Sequence, residues 1–318
     1  MGMLLSVRGI RKSFGAVAAL RHADLDMAEG EVVALLGDNG AGKSTFVRLL
    51  SGAGRPDGGT FRFGGNPVDL AKYSVRKARD MGIETVHQDR CLCEGQSLWR
   101  NMFVGRHVRT RWGFIDIAAE REATRVMLGE WLGLGGAGLD PDADVRVLSG
   151  GERQALAIGR AMYFGARLVI LDEPTTALDV TVQAQILDLL REMQDRVGAS
   201  IIMITHDLGV VAEVSDKVAV MYAGRKVEEG SVEQILFNPQ HPYTKALKGC
   251  IPHLQRTPAS GRHRLHEIPG MVLGMAELGK DRCSFYERCP CGKPECMEHN
   301  PPAKAIDAGH EVACWLYS

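Results

Sequence analysis

The chain has 318 residues, 45% of them hydrophobic and 24% charged, the make-up of an ordinary globular protein with room for one large domain and a smaller one. Its formal net charge of −1 argues against a nucleic-acid binder, which carries a basic surplus. No apolar run reaches the roughly 18 residues of a membrane-spanning helix, and Met1 to Arg8 lack the basic head and apolar stretch of a signal peptide. The expectation is a chain that stays in the cytoplasm or meets a membrane through partners.

In chain order, residues 4–8, 20–27 and 31–36 read as strands. Between the first two, Phe14 could stack on a nucleobase or end a hairpin in the core; its spacing does not choose. The third strand leads into Gly37-Asp38-Asn39-Gly40-Ala41-Gly42-Lys43-Ser44-Thr45, which fits G-x-x-x-x-G-K-[ST]. Strand before and helix after are what a phosphate-cradling loop needs, because the phosphates then sit on backbone N–H groups at a helix N-terminus. Lys43 would reach the β- and γ-phosphates and Ser44 would ligate Mg²⁺. A turn at Pro56–Gly59, a strand over 60–63, a short helix over 74–81 and a strand over 83–86 follow. The last delivers His87-Gln88-Asp89 to its C-terminal end, where α/β sheets place ligand groups.

Residues 98–133 read as two helical pieces broken around Trp112-Gly113-Phe114, with the basic run Arg106 to Arg111 in the break, best taken as a solvated loop. A glycine-rich connector over 133–144 ends at Leu148-Ser149-Gly150-Gly151-Glu152, a second glycine-marked helix start. Arg167 to Glu173 is an apolar strand ending in two carboxylates. Asp172 suits an outer-shell Mg²⁺ partner, and Glu173 could polarise a water beside a γ-phosphate. After an amphipathic helix over 180–197, a buried strand over 200–205 ends at His206, a candidate γ-phosphate contact. A hairpin over 217–229 closes the first domain near residue 237. Beyond Pro239 the pattern changes. His241-Pro242-Tyr243-Thr244 opens a short helix to about Gly249, and then come prolines, glycines and cysteine-rich turns with little periodicity, which need a staple to fold. Of eight cysteines, at 91, 93, 250, 283, 289, 291, 296 and 314, five fall in the last 36 residues, and in a reducing cytoplasm such a cluster suits a metal better than disulfides.

Taken together, these motifs resemble the ATP-binding subunit of an ATP-binding-cassette (ABC) transporter, over residues 4–237 in family order. Phe14 falls where the family stacks adenine. Gly37–Thr45 is similar to the Walker A loop, Gln88 to the Q-loop glutamine, and Leu148–Glu152 to the signature motif, with Glu152 in place of the commoner glutamine. Asp172 and Glu173 match the end of the Walker B strand, Thr176–Asp179 the D-loop, and His206 the switch histidine. The resemblance implies an α/β fold of the P-loop NTPase ABC type, with a RecA-like core, an antiparallel β subdomain and a helical signature subdomain at about 90–160. It implies an ATP-hydrolysing subunit that uses Mg²⁺ held by Ser44, Gln88 and Asp172, with Glu173 as base and His206 and Gln88 as sensors. It further implies that two such domains stack head to tail, so that Ser149 and Gly151 of one close on the ATP of the other. The partners implied are a second ATPase subunit, membrane permeases and, indirectly, a solute-binding protein, with the chain on the cytoplasmic face of the membrane.

Two kinds of importer are suggested. Residues 30–135 look like monosaccharide-type cassettes, whereas residues 174–254, with Asn238-Pro239-Gln240-His241-Pro242-Tyr243-Thr244, look like di/oligopeptide-type ones. A single cassette with a C-terminal extension over 238–318 is the peptide-type arrangement. There Cys283, Cys289, Cys296 and Cys314 are similar to a cysteine motif that implies a [4Fe–4S] cluster. A Cys₄ Zn²⁺ site uses the same ligands. Cys291 is then an extra thiol, and Cys91, Cys93 and Cys250 are expected to be buried apolar residues. Rival readings are a soluble ABC ATPase of translation or DNA repair, and a weak cassette whose tail is chiefly a redox or metal sensor.

Overall fold

In the computed structural model of the chain, the described residues are 2–88, 91–134, 138–176, 178–250, 268, 270 and 281–318. They fall into two units, Met1–Val75 with Met203–Ser318, and Arg76–Ile202. The calls on Asp89 and Ala177 lie outside the described residues.

The first unit begins with β1 (Met3–Phe14) and β2 (Val17–Ala28), paired antiparallel. Period-2 burial of Leu5, Val7 and, past a register shift, Ile10 sets the inward face of β1. β3 (Val32–Leu36) is buried at all five positions, as an apolar run in a parallel sheet should be. The chain then forms α1 (Lys43–Leu50), β4 (Gly58–Phe63), which pairs with β1, and the short β5 (Asn66–Pro67).

In the second unit, α2 (Val75–Asp80), whose first residue still belongs to the first unit, leads to β6 (Ile83–Val86). Then come α3 (Leu98–Phe103), α4 (Ile117–Val126) continued by a π-turn over Met127–Trp131, α5 (Gly150–Tyr163), β7 (Leu168–Asp172) and α6 (Val180–Val197). β6 and β7 pair in parallel from Ile83↔Leu168 to Val86↔Leu171. The break between α3 and α4 is wider than the Trp112–Phe114 expected, running from Val104 to Asp116. Its basic run is solvated only in part. Arg106 pairs with the largely buried Glu84, whose carboxyl burial pushes upward against the pull of Arg106, and lies 4.8 Å over the Phe164 ring. Fully buried Glu120 accepts from the Val108 N–H at 2.7 Å and lies 3.1 Å from His107 Nδ1. Trp112 and Phe114 remain exposed at the tip.

The division between the units falls within β8 (Ser200–Ile204). Back in the first unit are α7 (Leu208–Val214), β9 (Lys217–Tyr222), β10 (Arg225–Ser231), α8 (Val232–Phe237) and α9 (Pro242–Gly249). β9 pairs parallel with β3 from Val33↔Lys217 to Leu36↔Val220 and antiparallel with β10.

The tail holds more regular structure than its lack of periodicity suggests: α10 (Glu295–Glu298), β11 (Lys304–Asp307) and β12 (His310–Val312). β12 adds antiparallel to β10, at Glu228↔Val312 and Glu229↔Glu311. Glu228 sits fully buried in that seam, its carboxylate accepting from the N–H groups of Gln240 (2.6 Å) and His241 (3.0 Å) and lying 2.8 Å from His310 Nε2. Three partners satisfy a carboxylate that would otherwise be costly to bury. Phe285 of the tail packs on Tyr222 and Tyr243 at ring distances of 5.2 and 5.4 Å. A strand pairing and an aromatic core therefore hold the tail where the sequence led us to expect a cysteine staple.

Candidate nucleotide-binding site

The glycine-rich loop runs from the end of β3 to the start of α1. Gly37, Gly40 and Gly42 all take positive φ, at 147°, 82° and 100°. At Gly37 space is also decisive, because a Cβ there would lie 2.3 Å from the Met221 carbonyl oxygen. The loop closes on itself through Ala41 N–H to Asp38 O (3.1 Å), and Gly224 N–H donates to Ala41 O at 2.8 Å. Asn39 and Gly40 form the loop's turn, Ala41 is buried, and Ser44 and Thr45 lie in the first turn of α1. Lys43 is buried and donates to Gly37 O at 2.6 Å and Asp38 O at 3.1 Å, so its ammonium rests on the mouth of its own loop. A cation held on two carbonyls beside a helix N-terminus suits a polyphosphate, which supplies the opposite charge and acceptors for those N–H groups.

Also in the first unit, Phe14 ends β1 with 53% of its surface exposed and Lys12 Nζ 5.4 Å from its ring centroid. It is not a core residue, and an open aromatic face is what base stacking requires. His206 is exposed just past β8, and the next residue, Asp207, caps α7 by accepting from Gly209 N–H at 2.8 Å.

The second unit holds the remaining candidates. Gln88 lies exposed two residues beyond Val86 of β6, and Asp172 ends β7 one residue beyond Leu171, the partner of Val86. The two therefore leave the C-terminal ends of neighbouring parallel strands, the usual ligand edge of such a sheet. Glu173 takes φ +52°, a region a residue with a Cβ rarely visits, and its Oε2 accepts from the Thr176 hydroxyl at 2.6 Å. Strain held by a second side chain marks a carboxylate whose direction matters. Ser149 is the N-cap of α5 in a reciprocal capping box: its Oγ accepts from Glu152 N–H at 3.3 Å and its own N–H donates to Glu152 Oε2 at 2.7 Å. Glu152 is thus a structural cap in the place of glutamine. Gly151 has a packing role not read from its motif, since a Cβ there would meet Val182 Cγ1 of α6 at 2.4 Å.

In the tail, Cys283, Cys289, Cys291, Cys296 and Cys314 line one small pocket of about 10 Å³, with His241, Phe285 and Trp315 in its wall. Cys283 N–H donates to Cys296 O at 2.9 Å, which ties the start of this stretch to α10. Burial pushes the Cys283 thiol up to about 11, and burial likewise raises Cys289 and Cys314. The described residues contain no group of three or more His, Cys, Asp or Glu side chains set as a metal site. The donor set suits a thiolate-bound group, while the spacing of the thiols is not that of a bound ion. The expectation for the other cysteines is corrected: Cys91 and Cys93 are exposed, in the loop after Gln88, and Cys250 is half-buried. A cysteine's burial depends on where its loop lies, which a lone thiol does not announce.

Sequence reasoning missed Tyr243 and Arg288 as neighbours of the loop. Tyr243 Oη accepts from the Asp38 N–H at 2.8 Å, and Arg288 Nη1 stands 3.9 Å from Asp38 Oδ2. The sequence marks Tyr243 as part of a short helix and of the Asn238–Thr244 motif, and neither points to Asp38.

The family profile described as "ABC transporter" matches residues 20–176, and that described as "Oligopeptide/dipeptide transporter, C-terminal region" matches residues 227–296. The oligopeptide transport ATP-binding protein OppD of Bacillus subtilis is 37% identical, over 98% of this chain and 88% of its own. The dipeptide transport ATP-binding protein DppD of Lactococcus lactis is 35% identical, over 98% and 90%. Among solved structures, cbiO1 of Clostridium perfringens, part of the ABC transporter complex cbiONQ, is 28% identical with a TM-score of 0.64, covering 75% of this chain and 92% of that one. An ATP-binding cassette of an ABC transporter in its ADP conformation shares the fold at 22% identity and a TM-score of 0.66, over 77% of this chain and 99% of that one. With a phosphate loop, paired strand ends bearing Gln88 and Asp172, a capped signature helix and kinship along its whole length, the chain belongs to the family of ABC transporter ATP-binding proteins.

Proposed function

We propose that this chain binds and hydrolyses ATP to drive uptake of di- or oligopeptides through membrane permease partners. The observation that carries the solute class is that peptide-transport relatives match along almost the whole chain, with the oligopeptide/dipeptide C-terminal profile on residues 227–296. That support outweighs the sugar-type look of residues 30–135. In this reading the cassette is residues 1–237, with its helical subdomain at about 90–160, and residues 238–318 form the peptide-type extension.

The residue roles are those that the family resemblance implies. Phe14 stacks the base, and the loop from Gly37 to Thr45 cradles the phosphates through its N–H groups. Lys43 exchanges its two carbonyl partners for phosphate oxygens. Ser44, Asp172 and Gln88 would hold Mg²⁺, which would supply positive charge against the phosphates. Glu173 takes the proton of the attacking water, and His206 and Gln88 read the γ-phosphate. Ser149 and Gly151 of a second ATPase subunit close over the nucleotide, so that hydrolysis and reopening move the permeases between two states. The chain would sit peripherally on the cytoplasmic face of the membrane, fed indirectly by a solute-binding protein. The test is uptake of a labelled dipeptide and a labelled pentose by cells from which this chain has been deleted. Loss of peptide uptake with sugar uptake intact is expected; loss confined to sugar would overturn the reading.

For the tail, we propose a [4Fe–4S] cluster on Cys283, Cys289, Cys296 and Cys314. Support comes from five thiols around one cavity and from the four-thiolate preference of such clusters. Protein purified without oxygen is expected to contain iron and acid-labile sulfide in equal amounts. Zinc without iron would assign a Cys₄ zinc site instead.

A further inference from the structure

The helix that opens with His241-Pro242-Tyr243-Thr244 lies 205 residues downstream of the phosphate loop, yet it touches it. Tyr243 is fully buried, and its Oη accepts from the main-chain N–H of Asp38 at 2.8 Å. The ring is clasped by Tyr222 and Phe285 at 4.6 and 5.4 Å. His241, whose ring caps the helix, accepts from the Tyr243 N–H through Nδ1 at 3.1 Å. From the cysteine-rich stretch comes Arg288, with a side chain 8% exposed and Nη1 3.9 Å from Asp38 Oδ2. Its guanidinium donates to Tyr222 Oη and Ile268 O, both at 3.4 Å. Asp38 is therefore held twice by the tail, once through its main chain and once through its carboxylate, while its own carbonyl accepts from Lys43.

A glycine-rich loop has much freedom to lose when it closes on a phosphate, and fixing its edge in advance lowers that cost. The Asp38 N–H is committed to Tyr243, so it marks the fixed edge from which the following N–H groups are aimed. We propose that Tyr243 and Arg288 are positioning residues for the nucleotide, so that the C-terminal tail is a working part of the ATP site rather than an appendage. This rests on the reading of the chain as an ATP binder. It predicts that changes in the tail alter nucleotide affinity more than the speed of the chemical step.

The experiment is equilibrium binding of a non-hydrolysable ATP analogue with Mg²⁺ to the full chain, alongside steady-state hydrolysis and a thermal melt. Tyr243→Phe keeps the ring in its aromatic clasp and deletes only Oη. Its Kd and KM are expected to rise about 3- to 10-fold with kcat within about twofold, the size of effect one hydrogen bond gives. Arg288→Gln should act in the same direction, and Arg288→Lys should recover part of the loss. Binding by both Tyr243→Phe and Arg288→Gln within about twofold of the parent would overturn the proposal. So would losses of kcat and melting temperature that match the loss of affinity, since those mark a structural role alone. A parent chain that fails to bind the analogue would instead overturn the nucleotide reading itself.

Discussion

Glu173→Gln is expected to bind MgATP with near-parental affinity while its turnover falls about 100- to 1,000-fold, the range lost when a general base is removed. The amide matches the carboxylate in size but cannot take a proton from water. The phosphate-holding loop lies elsewhere in the sequence and is untouched, so binding and chemistry should separate cleanly. The geometry sharpens the expectation, because Glu173 is held at φ +52° with its Oε2 on the Thr176 hydroxyl. A conformation of that kind costs on the order of 1–3 kcal/mol and persists only where neighbours enforce it. Thr176→Val should therefore lower turnover by a smaller factor, by letting the carboxylate swing. Steady-state hydrolysis with parallel analogue binding checks both, and near-parental turnover by Glu173→Gln would remove it from the role of base.

Gly37→Ala should do the most damage to the loop. The added methyl would lie 2.3 Å from the Met221 carbonyl oxygen and 3.0 Å from Ala41 Cβ, on a backbone at φ 147°. Neither atom is the far end of a flexible chain, so β9 or the loop must move. The expected cost is about 2–4 kcal/mol of stability, with nucleotide binding reduced more than tenfold. Gly40 is the internal control. It shares the motif and a positive φ of 82°, but a Cβ there meets nothing within 4 Å. Gly40→Ala should therefore cost only the backbone penalty, about 1–2 kcal/mol. Thermal melts of the two variants decide the matter. Equal losses would mean that conformation, not space, governs the loop.

Much of this arrangement was legible because the informative residues are close in sequence. β3, the glycine loop and α1 are consecutive, and apolar runs ending in polar motifs located β6, β7 and β8 within a residue or two. Legibility failed where a residue's meaning depends on a distant partner. Gly151 reads as a phosphate-side glycine, but its Cβ space is filled by Val182 of α6. Arg106 reads as part of a solvated run, but it pairs with Glu84. Cys91 and Cys93 carry no signal of exposure. β12 is only three residues long, and its pairing with β10 follows from register and from the Glu228–His310 contact, neither of which leaves a periodic trace. Tyr243 belongs to a motif legible in the sequence, but nothing local to it points 205 residues back to Asp38.

The division of the chain also has a consequence for its birth on the ribosome. Arg76–Ile202 is one uninterrupted stretch and can begin to pack as soon as it emerges. Met1–Val75 is made first, yet β3 must wait for β9 to be translated, and Asp38 must wait for Tyr243. Contacts of such long sequence separation form slowly. The glycine-rich loop is thus among the first segments synthesised and among the last to reach its finished surroundings, so ATP capture is expected to follow completion of the subunit.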